Sequence, residues 1–184
     1  MSDAVEVRPG ERTLPELRDG IERVRESPTE VGTLELIVAR PAVDDRVELA
    51  SAELDVDRGL VVDRWSQGSK PNPKSQVTVM NARAAELVAG DRSRWALAGD
   101  QLYADLDLSP ENLPAGTRLA IGSAVIEVSD SPHLGCEKFA ARFGQIARVF
   151  VNSSEGTAMN LRGINTRVVR SGKVHVGDAV RKLA

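Results

Sequence analysis

Short runs of apolar and β-branched residues, each closed by turn-forming residues, are the feature that most limits how this chain can fold. Runs of this length suit strands rather than helices. A strand, a two-residue turn and a second strand in succession predict an antiparallel hairpin. The two predicted hairpins cover residues 118–128, with a turn at Gly122-Ser123, and residues 166–176, with a turn at Ser171-Gly172.

The first thirty residues predict a helix. Thr13 and Glu16 have the spacing of a capping box, and Ser27-Pro28 ends the helix that they begin. After this point the pattern changes from helical spacing to short strands. We therefore expect an N-terminal helical appendage over residues 1–30 and a β-barrel domain over residues 31–184.

The remaining segments predict more strands and a few short helices. Asn81 is a cap for a helix over residues 82–89, and Gly144 ends another helix over residues 137–143. Many short strands with few helices favour a mainly β fold, a barrel of mostly antiparallel strands. The other predicted strands cover residues 34–38, 47–49, 54–57 and 76–80.

The composition excludes several kinds of protein. One cysteine cannot form a disulfide within the chain, and one cysteine with two histidines cannot supply the four ligands of a structural zinc site. No stretch approaches the ~20 apolar residues of a membrane helix, and the N-terminus lacks the apolar core of a signal peptide. We therefore expect a cytoplasmic protein without membrane contact.

The net charge of −3 conceals an uneven distribution. Residues 131–184 hold nine basic and three acidic residues, a net charge of +6, on an otherwise acidic chain. A basic segment can bind nucleic acid, phosphate, an anionic cofactor or the acidic part of its own chain. With three Phe, two Trp and one Tyr, the chain offers few side chains for base stacking, which argues against nucleic acid.

The only cysteine lies at the start of this basic segment. Cys136 follows a loop rich in Pro and Gly and precedes a predicted helix, whose N–H groups stabilise a thiolate. His133, Lys138 and Arg142 add positive charge nearby. The pattern indicates a reactive sulfur, as nucleophile or soft-metal ligand, although a buried and inert cysteine is a common alternative.

Two arginines form a second candidate group. Arg162 and Arg167 flank Gly163 and Asn165 at a loop-to-strand junction, which suits the binding of an oxyanion. A solvated strand face is the simpler interpretation of the same residues.

In order along the chain, these elements resemble the MOSC domain family, named after the C-terminal domain of molybdenum-cofactor sulfurases. No single element is specific to this family. The order of the elements, with one cysteine in the matching position, is specific to it. The resemblance runs from about Gly32 to Val180. The matching segments include GLVVDRW at 59–65, QVT at 76–78, GDQL at 99–102, HLGCEKF at 133–139, RGINTRVV at 162–169 and GD at 177–178.

The resemblance implies a MOSC-like β-barrel, similar to the barrel of pyruvate kinase, and a role with the molybdenum cofactor. In such a protein Cys136 carries sulfur as a persulfide or ligates molybdenum, in a sulfur carrier or in a small reductase of N-hydroxylated compounds. The expected partners are a sulfur donor such as a cysteine desulfurase, or an electron-transfer protein. The residues implied to bind the cofactor are Arg64, Gln76, His133, Lys138, Arg162, Asn165 and Arg167.

The chain also departs from better-known members of the family. Cys136 is followed by Glu137, unlike the amidoxime-reducing members. With 184 residues, we expect neither their additional N-terminal domain nor the desulfurase domain of the sulfurases. Pyridoxal phosphate is therefore not expected as a cofactor.

Two other functions remain open from the sequence. A non-catalytic module would bind an anionic or phosphorylated small molecule through Arg162 and Arg167, and Cys136 would be incidental. A thiol redox sensor would use Cys136 but lacks a second cysteine to resolve the oxidised form.

Overall fold

A computed structural model describes residues 7–69 and 71–183. The strands in this part are β1 (Val31–Ala39), β2 (Val47–Leu49), β3 (Ser51–Asp55), β4 (Gly59–Leu60), β5 (Val77–Asn81), β6 (Leu102–Asp105), β7 (Arg118–Ile121), β8 (Ala124–Val128), β9 (Ile164–Arg170), β10 (Gly172–His175) and β11 (Ala179–Lys182). The helices are α1 (Leu14–Arg25), α2 (Ala82–Ala89), α3 (Glu137–Phe143), α4 (Gln145–Val151) and α5 (Ser154–Ala158), with 3₁₀ helices at Arg64–Gln67, Pro73–Ser75 and Arg92–Ala98.

Seven strands close into a barrel. They follow one another in the order β11, β7, β8, β9, β5, β6 and β1, and β1 pairs with β11 to complete the circle. The pairing of β5 with β6 is parallel, and the other pairings are antiparallel. The predicted mainly β barrel with a few short helices is confirmed. Among the described residues, no helix is long and apolar enough to span a membrane.

One predicted hairpin is confirmed and the other is wrong. β7 and β8 pair across Gly122-Ser123, with Ile121 opposite Ala124. β9 and β10 are joined through Ser171, but β9 pairs with β5 and β8, whereas β10 pairs with β3 in a separate small sheet. Ser171 therefore links two sheets, and Ser171-Gly172 is not the turn of a hairpin.

The side chains of β1 enter two separate cores because the strand is irregular. Its pairing with β6 shifts register between Leu34 and Leu36. Leu34 and Ile37 pack in the barrel, whereas Leu36 and Val38 pack with the helices outside it. Strict alternation would have put Leu34 and Leu36 on one face of the strand.

Helix α1 packs on the outside of the barrel. Leu17, Ile21 and Val24 are buried in the same core as residues of α2 and α4. The predicted capping box is confirmed, because the Thr13 side chain accepts from Glu16 N and the Glu16 side chain accepts from Thr13 N. The domain boundary at residue 30 stays a prediction, and residues 1–6 of the appendage lie outside the described residues.

The replacement Gly32→Ala tests how closely the backbones of β1 and β6 approach each other. A Cβ at this position would lie 1.9 Å from the Asp105 carbonyl oxygen, so the backbone must shift. We expect the free energy of unfolding, measured by urea denaturation, to fall by at least ~2 kcal/mol. Gly68→Ala is the control, since its Cβ would meet the Trp65 carbonyl oxygen at an ordinary 3.6 Å. Equal losses in the two variants would contradict the prediction.

Candidate functional site

Two asparagine side chains fix the loop that leads to Cys136. Asn165 Nδ2 donates to both carbonyl oxygens of Ser131-Pro132, each at 3.2 Å. Asn152 binds both sides of the Gly135 backbone: Gly135 N donates to Asn152 Oδ1 at 2.8 Å, and Asn152 Nδ2 donates to Gly135 O at 2.9 Å. Because these four bonds tie the loop to β9 and to the end of α4, the cysteine is held in place from both directions.

Cys136 is exposed and is the N-cap residue of α3. Burial acts to raise the pKa of its thiol, whereas the backbone N–H groups of Phe139 and Lys138 and the charge of Arg162 lower it. The lowering influences prevail, so the pKa of Cys136 lies below its ordinary value. An accessible sulfur with an increased thiolate fraction is a nucleophile and a soft-metal ligand.

A buried ion pair lies beside α3. Arg162 Nη1 donates to Asp100 Oδ2 at 2.6 Å, and the Asp100 side chain is fully buried. The Arg162 guanidinium carbon also lies 5.1 Å from the ring centroid of Phe139 in α3. Burying two charges costs several kcal/mol each, which is offset only when both are paired and hydrogen-bonded. This pair therefore fixes the cation of Arg162 close to the cysteine helix.

Three guanidinium groups meet at the C-terminal end of the 3₁₀ helix Arg92–Ala98. The last carbonyl groups of a helix have no partner within it and carry partial negative charge. The donor and acceptor pairs are Arg142 with Leu97 O at 3.0 Å, Arg162 with Ala98 O at 3.0 Å and Arg40 with Gly99 O at 2.8 Å.

Arg40 joins a second buried carboxylate to this group. Its Nε donates to Asp63 Oδ2 at 2.8 Å and its Nη2 donates to Asp63 Oδ1 at 3.1 Å. The Asp63 side chain is fully buried and also caps the 3₁₀ helix Arg64–Gln67. The bidentate pair holds the end of β1 against this segment.

Arg46 adds a further cation, which forms no ion pair with a carboxylate in the part of the chain that the structure describes. A Cβ on Gly99 would lie 3.7 Å from Arg46 Nη2 and 3.6 Å from Arg142 Nη1, so both guanidinium groups border this glycine. Burial and the charges of Arg142 and Arg40 hold the pKa of Arg46 below its ordinary value, against the opposing charge of Asp44. Arg40, Arg142 and Arg162 are each paired with a carboxylate, so Arg46 supplies the excess positive charge that attracts an anion here. We call Arg40, Arg46, Arg142 and Arg162 the arginine cluster.

His133 lies at the edge of the buried ion pair. Its Nδ1 is 3.5 Å from Asp100 Oδ1, which is long for a hydrogen bond. Burial lowers the pKa of His133 to about 4, aided by Arg162 and Arg40 and opposed by Asp100, so the imidazole is neutral at pH 7. His133 Nδ1, Asp100 Oδ1 and Arg162 Nε are buried without a hydrogen-bond partner among the described residues. Unpaired buried polar atoms are rare in folded proteins, and a bound water or ligand is one way in which they are satisfied.

The structure does not bring Arg162 and Arg167 together. Arg162 is buried on Asp100, whereas Arg167 is exposed and donates to Glu127 Oε1, at 2.6 Å from Nη2. The two side chains therefore do not face one anion in this structure, and their part in binding an anion stays a prediction. They are separated because Arg162 precedes β9, whereas Arg167 lies within it and is exposed.

Three other predicted residues have different surroundings. Both ends of the Gln76 amide are used within the fold: Nε2 donates to Val56 O at 2.8 Å, and Oε1 accepts from Val168 N at 2.7 Å. This geometry argues against the predicted cofactor contact of Gln76. Arg64 is half-buried and its N–H donates to Arg40 O, next to the arginine cluster. Lys138 is exposed in the first turn of α3.

Sequence reasoning missed Asp100, Arg40, Arg46 and Asn152 as site residues. Asp100 lies 62 positions before Arg162, so no local pattern connects the two. A carboxylate at 100 between the mostly apolar segments 95–98 and 102–104 was the available signal, because buried charges are retained only with partners. Among the described residues, no three His, Cys, Asp and Glu side chains are grouped so as to hold a metal ion.

The replacement Asp100→Ala tests the buried ion pair. It leaves the Arg162 cation buried without its partner. We therefore expect the free energy of unfolding, measured by urea denaturation, to fall by roughly 3 kcal/mol. Asp130→Ala is the control, because Asp130 pairs with Lys74 in solvent and such pairs contribute about 1 kcal/mol or less. A loss at Asp100 no larger than at Asp130 would refute the buried pair.

The replacement Arg162→Gln tests the influence of this cation on sulfur. Removing the positive charge disfavours the thiolate, so the pKa of Cys136 rises. We expect alkylation by iodoacetamide at pH 7 to slow by about three-fold, measured by mass spectrometry on protein whose folding is verified by circular dichroism. Arg167→Gln should leave the rate unchanged. A rate in Arg162→Gln equal to that of the unaltered protein would disprove the effect.

Comparison with known proteins identifies a matching family and similar solved structures. A family model described as the MOSC domain matches residues 72–181. The structure is similar to that of the YuaD protein from Bacillus subtilis, with 17% identity and a TM-score of 0.58, covering 82% of this chain and 94% of that one. YiiM from Escherichia coli has 19% identity and a TM-score of 0.55, covering 83% and 70%. YiiM from Geobacillus stearothermophilus has 13% identity and a TM-score of 0.52, covering 86% and 75%.

At these identities the solved structures support the fold alone. No match was found among curated proteins. The family match covers more than half of the chain and includes both Cys136 and Arg162. The chain therefore belongs to the MOSC domain family.

Proposed function

We propose that the protein binds the molybdenum cofactor and that Cys136 is its sulfur ligand to the metal. Membership of the MOSC family supports a role related to this cofactor. The observation that carries the proposal is the exposed Cys136 thiol at the start of α3, whose pKa is lowered, against burial, by the backbone N–H groups of Phe139 and Lys138 and by the charge of Arg162. Thiolates are ligands for soft metal centres, and such surroundings increase the thiolate fraction at neutral pH.

The residues near Cys136 fit this cofactor. The pterin part is anionic through its phosphate, and arginine binds phosphate with two parallel hydrogen bonds. Arg46 and Arg142 of the arginine cluster, with the exposed Lys138, are the residues that would hold the phosphate. Arg162 Nε, a buried donor without a partner among the described residues, would bind a polar atom of the pterin.

The chain's own residues hold the Cys136 sulfur and its surroundings in place. Asn152 and Asn165 hold the loop around the sulfur, and the Arg162–Asp100 pair keeps one positive charge beside it. Neutral His133 offers hydrogen bonds without adding charge. When bound, the cofactor supplies a metal that exchanges electrons with a substrate, which we propose is an N-hydroxylated compound reduced with electrons from an electron-transfer protein.

The exposure of Cys136 favours sulfur transfer as a second candidate function. The Cys136 thiolate would attack the outer sulfur of a persulfide on a donor such as a cysteine desulfurase. A new S–S bond forms on Cys136, the S–S bond of the donor breaks, and the donor cysteine leaves as a thiolate. The exchange consumes no oxidant, and it requires only that the donor reach an exposed sulfur.

Metal analysis tests the proposed cofactor. We expect protein from a host that makes the molybdenum cofactor to contain molybdenum and pterin, and Cys136→Ser to contain at least about ten-fold less molybdenum. Arg167→Ala is the matched control and should retain the metal, because Arg167 is exposed and pairs with Glu127. Absence of molybdenum from the unaltered protein, or equal amounts in Cys136→Ser, would reject the proposal.

For sulfur transfer, mass spectrometry should detect one added sulfur on the unaltered protein, and none on Cys136→Ser, after incubation with a desulfurase and cysteine.

A further inference from the structure

Part of the Arg46 guanidinium group has no partner within the fold. Its Nη1 donates to the Asp45 carbonyl oxygen at 3.0 Å. In residues 7–69 and 71–183, Nε is buried without a hydrogen-bond partner and Nη2 donates to no acceptor. Nε and Nη2 form the edge of a guanidinium group that binds two oxygens of a phosphate or a carboxylate through parallel hydrogen bonds. This edge of Arg46 therefore suits an oxyanion.

Arg142 borders the same space as this edge. Arg46 Nη2 lies 3.7 Å, and Arg142 Nη1 lies 3.6 Å, from the position that a Cβ on Gly99 would take. Gly99 has a φ of +88°, a left-handed conformation that favours glycine, so no side chain fills the space. We call the space beside Gly99, bordered by these two guanidinium groups, the oxyanion site. One oxyanion placed there is within reach of both cations.

Asp44 already places a carboxylate at the oxyanion site. Arg142 Nη2 donates to Asp44 Oδ1 at 3.1 Å. The charge of Asp44 also favours the cationic form of Arg46, whereas the charge of Arg142 disfavours it. Asp44 thus offsets the repulsion between the two arginines. Because a carboxylate and a phosphate offer arginine the same kind of acceptor atom, Asp44 resembles a ligand of this site.

Of the three carboxylates that pair with the arginine cluster, Asp44 is the one that a ligand can displace. The carboxylates of Asp63 and Asp100 are fully buried, so removing either from its arginine would leave a charge unpaired inside the protein. The Asp44 side chain is 69% exposed, and exposed ion pairs contribute little to stability. When Asp44 leaves Arg142, water solvates its carboxylate.

The turn around Asp44 allows its side chain to move alone. Asp45 N donates to the Ala42 carbonyl oxygen at 3.3 Å, and Arg46 N donates to Asp45 Oδ1 at 2.9 Å. These bonds hold the backbone of the turn, and neither involves the Asp44 carboxylate. Rotation about the side-chain bonds of Asp44 is therefore enough to open the oxyanion site.

We propose that Asp44 is an internal competitor: its carboxylate occupies the oxyanion site and swings into solvent when a phosphate group binds to Arg46 and Arg142. The inference deepens the proposed function, on which it rests for the identity of the ligand, the phosphate of the cofactor. Asp44 neutralises the two cations before the phosphate arrives. It also lowers the affinity for phosphate, because it competes for the same donors.

An NMR titration with inorganic phosphate tests the competition. The 184-residue chain is made in a host without the molybdenum cofactor, and the backbone amide signals of Arg46 and Gly99 are followed at constant ionic strength. We expect phosphate to shift these signals and to bind Asp44→Asn about five-fold more tightly than the unaltered protein, because the competing ion pair is removed. Asn readily adopts the φ of +60° found at Asp44, so the variant keeps the turn.

Two further variants separate this effect from a general change in charge. Asp57→Asn removes the same charge from an exposed residue between β3 and β4 and should leave the phosphate affinity unchanged. Arg142→Gln should weaken phosphate binding by about ten-fold, since one of the two cations is lost. Equal affinities of Asp44→Asn and the unaltered protein, an equal gain in Asp57→Asn, or no phosphate shifts in either protein would overturn the proposal. Because no cofactor is present, failure here is distinguishable from failure of the metal analysis.

Discussion

The ion pair between Arg162 and Asp100 is the interaction on which the rest of the site depends. It joins the segment before β9 to the segment before β6, and it places a permanent positive charge beside the cysteine helix. Desolvation makes an isolated charge costly here, so neither residue is tolerated without the other. The carbonyl groups at the end of the 3₁₀ helix Arg92–Ala98 then allow two more arginines to gather around the same point.

Much of the fold follows from signals that lie a few residues apart. The turn at Gly122-Ser123, the cap at Asn81 and the capping box at Thr13 depend on neighbours in the chain, and all three form as predicted. The second hairpin fails because a turn signal does not say which sheet the next strand joins. β10 leaves the barrel to pair with β3, residues more than a hundred positions away.

The site was predictable only in part, for a related reason. Cys136 could be found because its helix start and basic neighbours are local in sequence. The family resemblance pointed to Asp63, but not to its pairing with Arg40. The pairing of Asp100 with Arg162 was missed altogether, because these side chains meet only in the folded barrel. Arg167 illustrates the opposite case. Because it lies close to Arg162 in sequence, the two side chains were expected to bind one anion together, but Arg167 pairs with Glu127 instead.

The irregularity in β1 has a consequence for cooperativity. Because Leu34 and Leu36 face different cores, this strand is a wall common to the barrel interior and the outer helical layer. Phe139 and Phe143, on the helix that begins at Cys136, belong to that outer layer together with Leu17 of α1. The barrel and the helices are therefore expected to melt as one unit, because the helix that begins at Cys136 shares its core with the first helix of the chain.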